Sequence, residues 1–173
     1  TYPTGTARFE KRALSTEVPV WDESICIQCG KCVLICPHAV IRAKVCAPEA
    51  LAGAPATFKS HPARWKGDFA TDRYTLQVSP DDCTGCALCV EVCPAKSPQE
   101  TKRRAIHMTP REEILDEARK SVEFFETLPT TPRARIDFST VRGTQFLPPL
   151  FALSGACAGC GGTPYVKLVS QPF

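Results

Sequence analysis

The chain has 173 residues, 11 of them cysteine, or about 6%. That is below the roughly 8–10% of a disulfide-stapled secreted scaffold, yet too many to be incidental. Lys and Arg total 21 against 18 Asp and Glu, a net charge of +3 that is too weak to mark a nucleic-acid footprint. No apolar run approaches the ~18 residues of a membrane-spanning helix. Residues 1–12 carry no apolar signal-peptide core, so a cytoplasmic protein with no membrane or nucleic-acid partner is expected. Pro 16 and Gly 10 describe a loop-rich body that needs covalent or metal staples. Met108 is the only methionine, so the chain reads as an excised or processed piece.

In chain order, Val18-Pro-Val-Trp21 reads as a short strand leading into Cys26-Ile-Gln-Cys29-Gly-Lys-Cys32-Val-Leu-Ile-Cys36-Pro37. Val40 to Val45 alternates as a strand. The stretch 46–72, with turns at Ala47-Pro48 and Gly53-Ala-Pro55, is an inserted loop expected to shield a metal group or dock on another domain. Tyr74 to Val78 is the next strand, followed by Cys83-Thr-Gly-Cys86-Ala-Leu-Cys89-Val-Glu-Val-Cys93-Pro94 and a last short strand over Ala105 to Met108. The order is β-α-β, repeated, in an α+β fold.

Eight cysteines thus fall into one pattern, C-x2-C-x2-C-x3-C-P, used twice at an interval of 57 residues. This resembles the bacterial two-cluster ferredoxin run, in which the fourth cysteine of each motif ligates the other cluster. Three thiolates must converge on three irons of one cubane, which demands a loop wrapped with its amides inward. Those amides can then tune the cluster through hydrogen bonds to sulfur. The x3 step starts a short helix that carries the fourth cysteine away, and proline ends it. The expected 4Fe–4S ligand sets are Cys26, Cys29, Cys32 with Cys93, and Cys83, Cys86, Cys89 with Cys36. Zinc closes its tetrahedron with four ligands and does not use this doubled run. Disulfides need an oxidising compartment and wider gaps.

Downstream, Thr109, Pro110 and Glu112 suggest an N-cap, a first-turn proline and a capping box. Ile114, Leu115, Ala118, Val122, Phe125 and Leu128 recur at helical spacing, an apolar stripe for core or interdomain packing. Ile136 to Val141 reads as a strand or an extended linker. Cys46 stands alone as a free thiol, and His38, His61 and His107 join no constellation. Near the end, Cys157-Ala-Gly-Cys160 forms one further pair in a glycine-rich loop, followed by Thr163 and Pro164 as a helix start. Two thiolates do not complete a metal site, so their partners are expected in sequence outside this chain.

The whole run resembles a central piece of the pyruvate:ferredoxin (flavodoxin) oxidoreductases. The resemblance rests on Thr4-Gly-Thr6, Glu10-Lys11-Arg12, Val18-Pro-Val-Trp-Asp22, both cluster motifs, Ile41-Arg-Ala-Lys44, Gly53 to Ser60, Tyr74 to Val78 and Ser154-Gly-Ala-Cys-Ala-Gly-Cys-Gly161. It implies a linker at 1–20, a two-cluster ferredoxin-like domain at 21–110, a helix and linker at 111–145, and the truncated start of a thiamine diphosphate domain at 146–173. It further implies that Cys157 and Cys160 are two of four ligands to a third 4Fe–4S cluster, with thiamine diphosphate and Mg held only by the full-length parent. That parent, a homodimer in this reading, would convert pyruvate and coenzyme A to acetyl-CoA and pass electrons to ferredoxin or flavodoxin. The family usually has Gly-Glu-Thr-Pro after the C-A-G-C run; here Gly162 stands in the glutamate position and brings no acidic side chain. This piece carries no complete active site and no catalytic acid–base residue. The competing readings are a stand-alone ferredoxin-type carrier and an electron-transfer subunit of another redox complex.

Overall fold

The computed structural model describes residue 6 and residues 9–65, 69–100 and 102–171. Thr4 and Gly5 of the resemblance, and Pro172 and Phe173 of the expected further domain, lie outside them.

Two antiparallel ribbons organise the chain. Strand β1, Glu17–Trp21, pairs with β5, Ile106–Pro110, setting Val18 opposite Thr109 and Trp21 opposite Ile106. Strand β2, Ile41–Cys46, pairs with β4, Arg73–Val78, from Ile41 opposite Val78 to Cys46 opposite Arg73. Helix α1, Lys31–Ile35, lies between β1 and β2, and α2, Leu88–Glu91, between β4 and β5. The two helices pack on each other. The first strand of the chain therefore closes on the last strand of this region, and each ribbon ends beside a cysteine motif. Within the insertion a two-residue strand β3, His61–Pro62, adds to β4, and Pro48–Leu51 form a 3-10 turn.

The core follows from strand alternation. Val18, Trp21, Ile41, Val45, Tyr74, Leu76 and Ile106 are buried in one cluster with Val33 of α1. Tyr74 stands at its centre, with ring centroids 5.6 Å from Trp21, 5.6 Å from Trp65 and 6.2 Å from Phe146, the tilted and edge-on spacings that aromatic pairs prefer. Ile136, Phe146 and Leu147 join this same core, so the chain beyond residue 130 packs back onto the cysteine-bearing body.

Helix α3 spans Arg111–Thr127. Its start departs from the expectation at Thr109. The β1–β5 ladder holds Thr109 extended and carries the strand through Pro110, and the Arg111 amide donates to Thr16 O at 2.9 Å. No side chain caps the helix, although Glu112 and Glu113 suit its positive end. The buried face includes Ser121 and Phe125, and the adjoining Leu128 is buried too. Lys44 of β2 is buried beneath the helix end, where its ammonium donates to Phe125 O at 2.7 Å and Leu128 O at 2.6 Å and lies 4.6 Å from the Phe125 ring. Phe125 O also accepts from the Leu128 amide at 3.2 Å, and the cation completes the satisfaction of these helix-end carbonyls.

The segment from Ile136 to Val141 is not a strand. Asp137 accepts from the Ser139 amide at 2.9 Å and its hydroxyl at 2.6 Å. Thr140 then caps α4, Val141–Thr144, by accepting from the Gly143 amide at 3.0 Å. Short polar side chains offer the backbone local partners that compete with a strand ladder. Helix α5, Thr163–Ser170, begins after Gly162, one residue from the expected Thr163 cap. No helix among the described residues is long and apolar enough to cross a membrane.

Phe125→Ala removes a ring that is 1% exposed and packs on Cys46 and Leu128. It should cost ~3–5 kcal/mol, measured as a lowered urea midpoint with the slope unchanged.

Candidate metal centres

The two cysteine loops share one backbone shape. In the first, Gln28 and Gly30 adopt φ of 57° and 74°; in the second, Gly85 and Ala87 adopt 68° and 57°. The third and fifth residues of each motif are thus left-handed, which turns the chain twice within one C-x2-C-x2-C run. The result is an inward amide in each loop, Gln28 N–H to Cys26 Sγ at 3.3 Å and Gly85 N–H to Cys83 Sγ at 3.5 Å. Glycine fills a different left-handed position in each motif, and Gln28 and Ala87 bear the strain at the other.

Two small cavities lie beside these loops. The first is lined by Cys26, Cys29, Cys32 and Cys93, with Trp21 and Tyr74 among its walls. The second is lined by Cys36, Cys83, Cys86 and Cys89, with His38, Thr84 and Met108. The structure therefore brings together all eight motif cysteines in the two predicted groups of four, each with three from one motif and one from the other. Among the described residues no three His, Cys, Asp or Glu side chains are spaced to hold a single metal ion. Four thiols around a shared cavity suit a group with several metal atoms.

Orphaned polar atoms point into the same places. The buried Trp21 indole N–H finds no oxygen or nitrogen partner and lies beside Cys26, where it favours the thiolate. In the second cavity His38 Nε2 and Thr84 Oγ1 are buried without a partner. His38 Nδ1 lies 3.0 Å from the Ser154 carbonyl and 3.1 Å from its hydroxyl, so Nδ1 is partnered and Nε2 is left over. Buried polar groups are normally paired. The first site thus places an indole N–H beside a thiol, and the second holds buried polar atoms without a protein partner.

Burial governs the thiols. It pushes Cys26 up, Cys32 well above the ordinary thiol value, Cys83 up to about 11 and Cys89 up to about 12, with neighbouring thiolates adding to the rise in each case. Cations sit instead at the helix ends. Lys167 of α5 donates to Val33 O and, at 3.4 Å, to Leu34 O, in the last turn of α1 before Cys36. Burial lowers this ammonium to about 8, while charge on Cys36 and Cys32 would raise it. Arg104 likewise donates to Val90 O, Glu91 O and Cys93 O at the end of α2. Neither cation was legible as a site residue from spacing.

The insertion folds over the first loop. Gln28, 1% exposed, donates to Pro62 O at 2.9 Å and accepts from the Arg64 amide at 2.8 Å. Cys157 is exposed and Cys160 half-buried. Amides of Thr163 and Gly162 at the start of α5 lower the Cys160 thiol. Neither residue lines the two cavities, although the intervening Gly159 lies close enough that a side chain there would sit 3.8 Å from Cys86 Cβ. Cys46 is buried against Phe125 and Leu128, away from both sites, and burial raises its thiol. His61 contacts Pro62 O, and burial lowers His107; neither lines either cavity.

Thiols raised to about 11 and 12 are protonated at neutral pH, so iron must displace those protons. Cluster uptake by the iron-free chain should therefore strengthen between about pH 6.5 and about pH 8.5. Iron retained at fixed ferrous and sulfide concentrations measures it.

Comparison with known proteins agrees with this geometry. A family model described as a 4Fe-4S dicluster domain matches residues 25–97. The chain is 52% identical over 173 residues to a pyruvate-flavodoxin oxidoreductase of Nostoc sp., covering 100% of the chain and 14% of that protein. It is 48% identical to a probable pyruvate-flavodoxin oxidoreductase of Escherichia coli, covering 100% of the chain and 15% of the relative. It is 46% identical to a pyruvate:ferredoxin oxidoreductase of Moorella thermoacetica, covering 99% and 14%. The chain spans about one seventh of the length of these relatives. It is similar along its whole length to one segment of the pyruvate-flavodoxin and pyruvate:ferredoxin oxidoreductases, and its residues 25–97 match the 4Fe-4S dicluster model.

Proposed function

We propose that the chain is the electron-relay segment of a 2-oxoacid oxidoreductase and that its two cavities each hold one 4Fe–4S cluster with crossed ligation. The observation that carries this reading is the lining of each cavity by three cysteines of one motif and the fourth of the other. Bound there, such clusters supply one-electron sites of low potential. The chain's own residues do the rest. Cys26, Cys29, Cys32 and Cys93 hold one cluster, and Cys83, Cys86, Cys89 and Cys36 the other. The Gln28 and Gly85 amides donate to sulfur and stabilise added negative charge. Trp21, Tyr74, Ile106 and Val40 wall the sites and exclude water.

The fold in this reading is the repeated β-α-β of a bacterial-type dicluster ferredoxin, which begins at β1, Glu17–Trp21, and not at the expected residue 21, because β1 closes on β5; it runs to 110 and is followed by helix and linker at 111–145. The region 146–173 opens a further domain in which Cys157 and Cys160 contribute two ligands to a third cluster. The names of the relatives support pyruvate as the oxidised substrate and flavodoxin or ferredoxin as the acceptor. The whole protein would oxidise pyruvate with coenzyme A to acetyl-CoA and carbon dioxide in the cytoplasm. Its other domains would bind thiamine diphosphate and Mg, and the assembly would be a homodimer. The chain itself supplies no catalytic side chain. A stand-alone carrier is disfavoured, because the similarity runs through the C-A-G-C loop as well as the dicluster region.

Anaerobic reconstitution of the chain should yield about eight irons and about eight acid-labile sulfides. Uptake of zinc without sulfide would overturn the reading. Cys36→Ser should abolish the cluster of the Cys83 motif and spare that of the Cys26 motif, as judged by the iron count and the electron paramagnetic resonance of the reduced protein. Selective loss of the Cys26-side cluster would refute crossed ligation.

A further inference from the structure

The Glu10-Lys11-Arg12 run lines neither cavity, yet two of its residues have defined neighbours at the second cysteine loop or close to the Cys157 pair. Lys11 Nζ lies 2.7 Å from Asp82 Oδ2, a carboxylate whose side chain is 6% exposed. The same oxygen accepts from Ser79 Oγ at 2.5 Å. Asp82 directly precedes Cys83. Two residues after Lys11 the Ala13 amide donates to Asp81 O at 3.0 Å, with Ala13 itself left-handed at φ 50°. Ser15 is buried and donates to Glu17 O; a side chain on Gly85 would come 2.4 Å from its hydroxyl. Arg12 lies over Gly155, where a side chain would fall 2.6 Å from the guanidinium. Residues 11–15 therefore run along 81–85, with Gly85 where Ser15 approaches it most closely.

The electrostatics give this arrangement a purpose. The loop it follows begins with two adjacent carboxylates, Asp81 and Asp82, immediately before a thiolate ligand. Asp81 is paired with Arg111 at 2.6 Å and Arg119 at 2.8 Å, and Asp82 with Lys11. An unpaired buried carboxylate beside an anionic cluster would repel it and draw water inward. The strap also backs Gly85, whose amide donates to Cys83 Sγ.

We propose that residues 11–15 form a clasp, pinned by the Lys11–Asp82 ion pair, that holds the Cys83–Cys86 loop in its ligand-presenting shape so that the group bound by Cys36, Cys83, Cys86 and Cys89 keeps its iron. Lys11 is then a positioning residue, touching neither cluster nor substrate. The inference rests on the reading of that cavity as a cluster site.

The test uses the whole protein in which the chain occurs, loaded anaerobically and exposed to a ferrous chelator. In Lys11→Ala about four irons should leave about five-fold faster, as loss of one half-exposed ion pair implies, while the remainder leave at the parental rate. Lys11→Arg keeps the charge and should restore slow release. In a Cys36→Ser background, where the Cys83-side cluster is already lost, Lys11→Ala should add nothing. Unchanged release from Lys11→Ala, or equal acceleration of all the irons, overturns the clasp while leaving the cluster reading intact. A parent protein with no iron and sulfide sinks that reading and the clasp with it.

Discussion

Everything in this molecule is arranged around eight thiols that must be brought to two places from two stretches of chain 57 residues apart. Neither stretch can complete a group of four alone, because each loop curls three cysteines around one cavity and its short helix carries the fourth to the other. Crossing makes the halves mutually dependent. The antiparallel pairing of β1 with β5 fixes the distance between the motifs, since it closes the start of the first half on the end of the second. Packing of α1 on α2 then decides where Cys36 and Cys93 emerge. A shift of one residue in either ladder would turn that ribbon's core side chains, such as Ile41 and Tyr74, outward.

Short helices are poor supports unless their ends are satisfied. Here α1 and α2 have only five and four residues, and the carbonyls that lead into the fourth cysteines would otherwise compete for water. Lys167 and Arg104 remove that competition by donating to them. A cation at a helix C-terminus also offsets the negative end of the helix dipole, and in this protein the same cations stand near thiolates. One kind of contact thus both stabilises the helix and opposes the accumulation of negative charge. Lys44 repeats it at the end of α3.

The repeated C-x2-C-x2-C-x3-C-P spacing made the two cavity-lining groups of four cysteines legible, because three close thiols and a fourth set apart by a short helix is the pattern of a two-cluster run. The strand positions around Val18, Ile41, Tyr74 and Ile106 were legible too, within one or two residues, from alternation at 40–45 and 74–78 and from position beside the motifs at 18–21 and 105–108. What could not be read were contacts closed by distant chain. Nothing in the sequence near Gln28 says that Pro62 and Arg64, 34 and 36 residues away, will seal its amide. Nothing near Lys167 says that it will reach α1. The start of α3 was misread at Thr109 because a capping pattern and a strand end look alike until the ladder partner is known. Of the two readings of Ile136 to Val141, strand or extended linker, the strand is absent, because Asp137 and Thr140 in the middle bond to nearby backbone amides.

The placement of Lys167 bears on how the last segment relates to the rest. An ammonium that is 1% exposed and hydrogen-bonded to Val33 and Leu34 cannot leave without exposing two helix-terminal carbonyls and stranding its own charge. Gln171 of the same region donates to Leu147 O at 3.0 Å, and Leu153 donates to His38 O at 2.7 Å. The chain on either side of Cys157 and Cys160 is therefore tied to α1 and to His38, two residues beyond Cys36. A pair of thiols hung from such anchors has its position set by the body that holds the two cysteine-lined cavities. This arrangement suits a relay, because the distance between successive electron sites has to be held by the protein before any electron arrives.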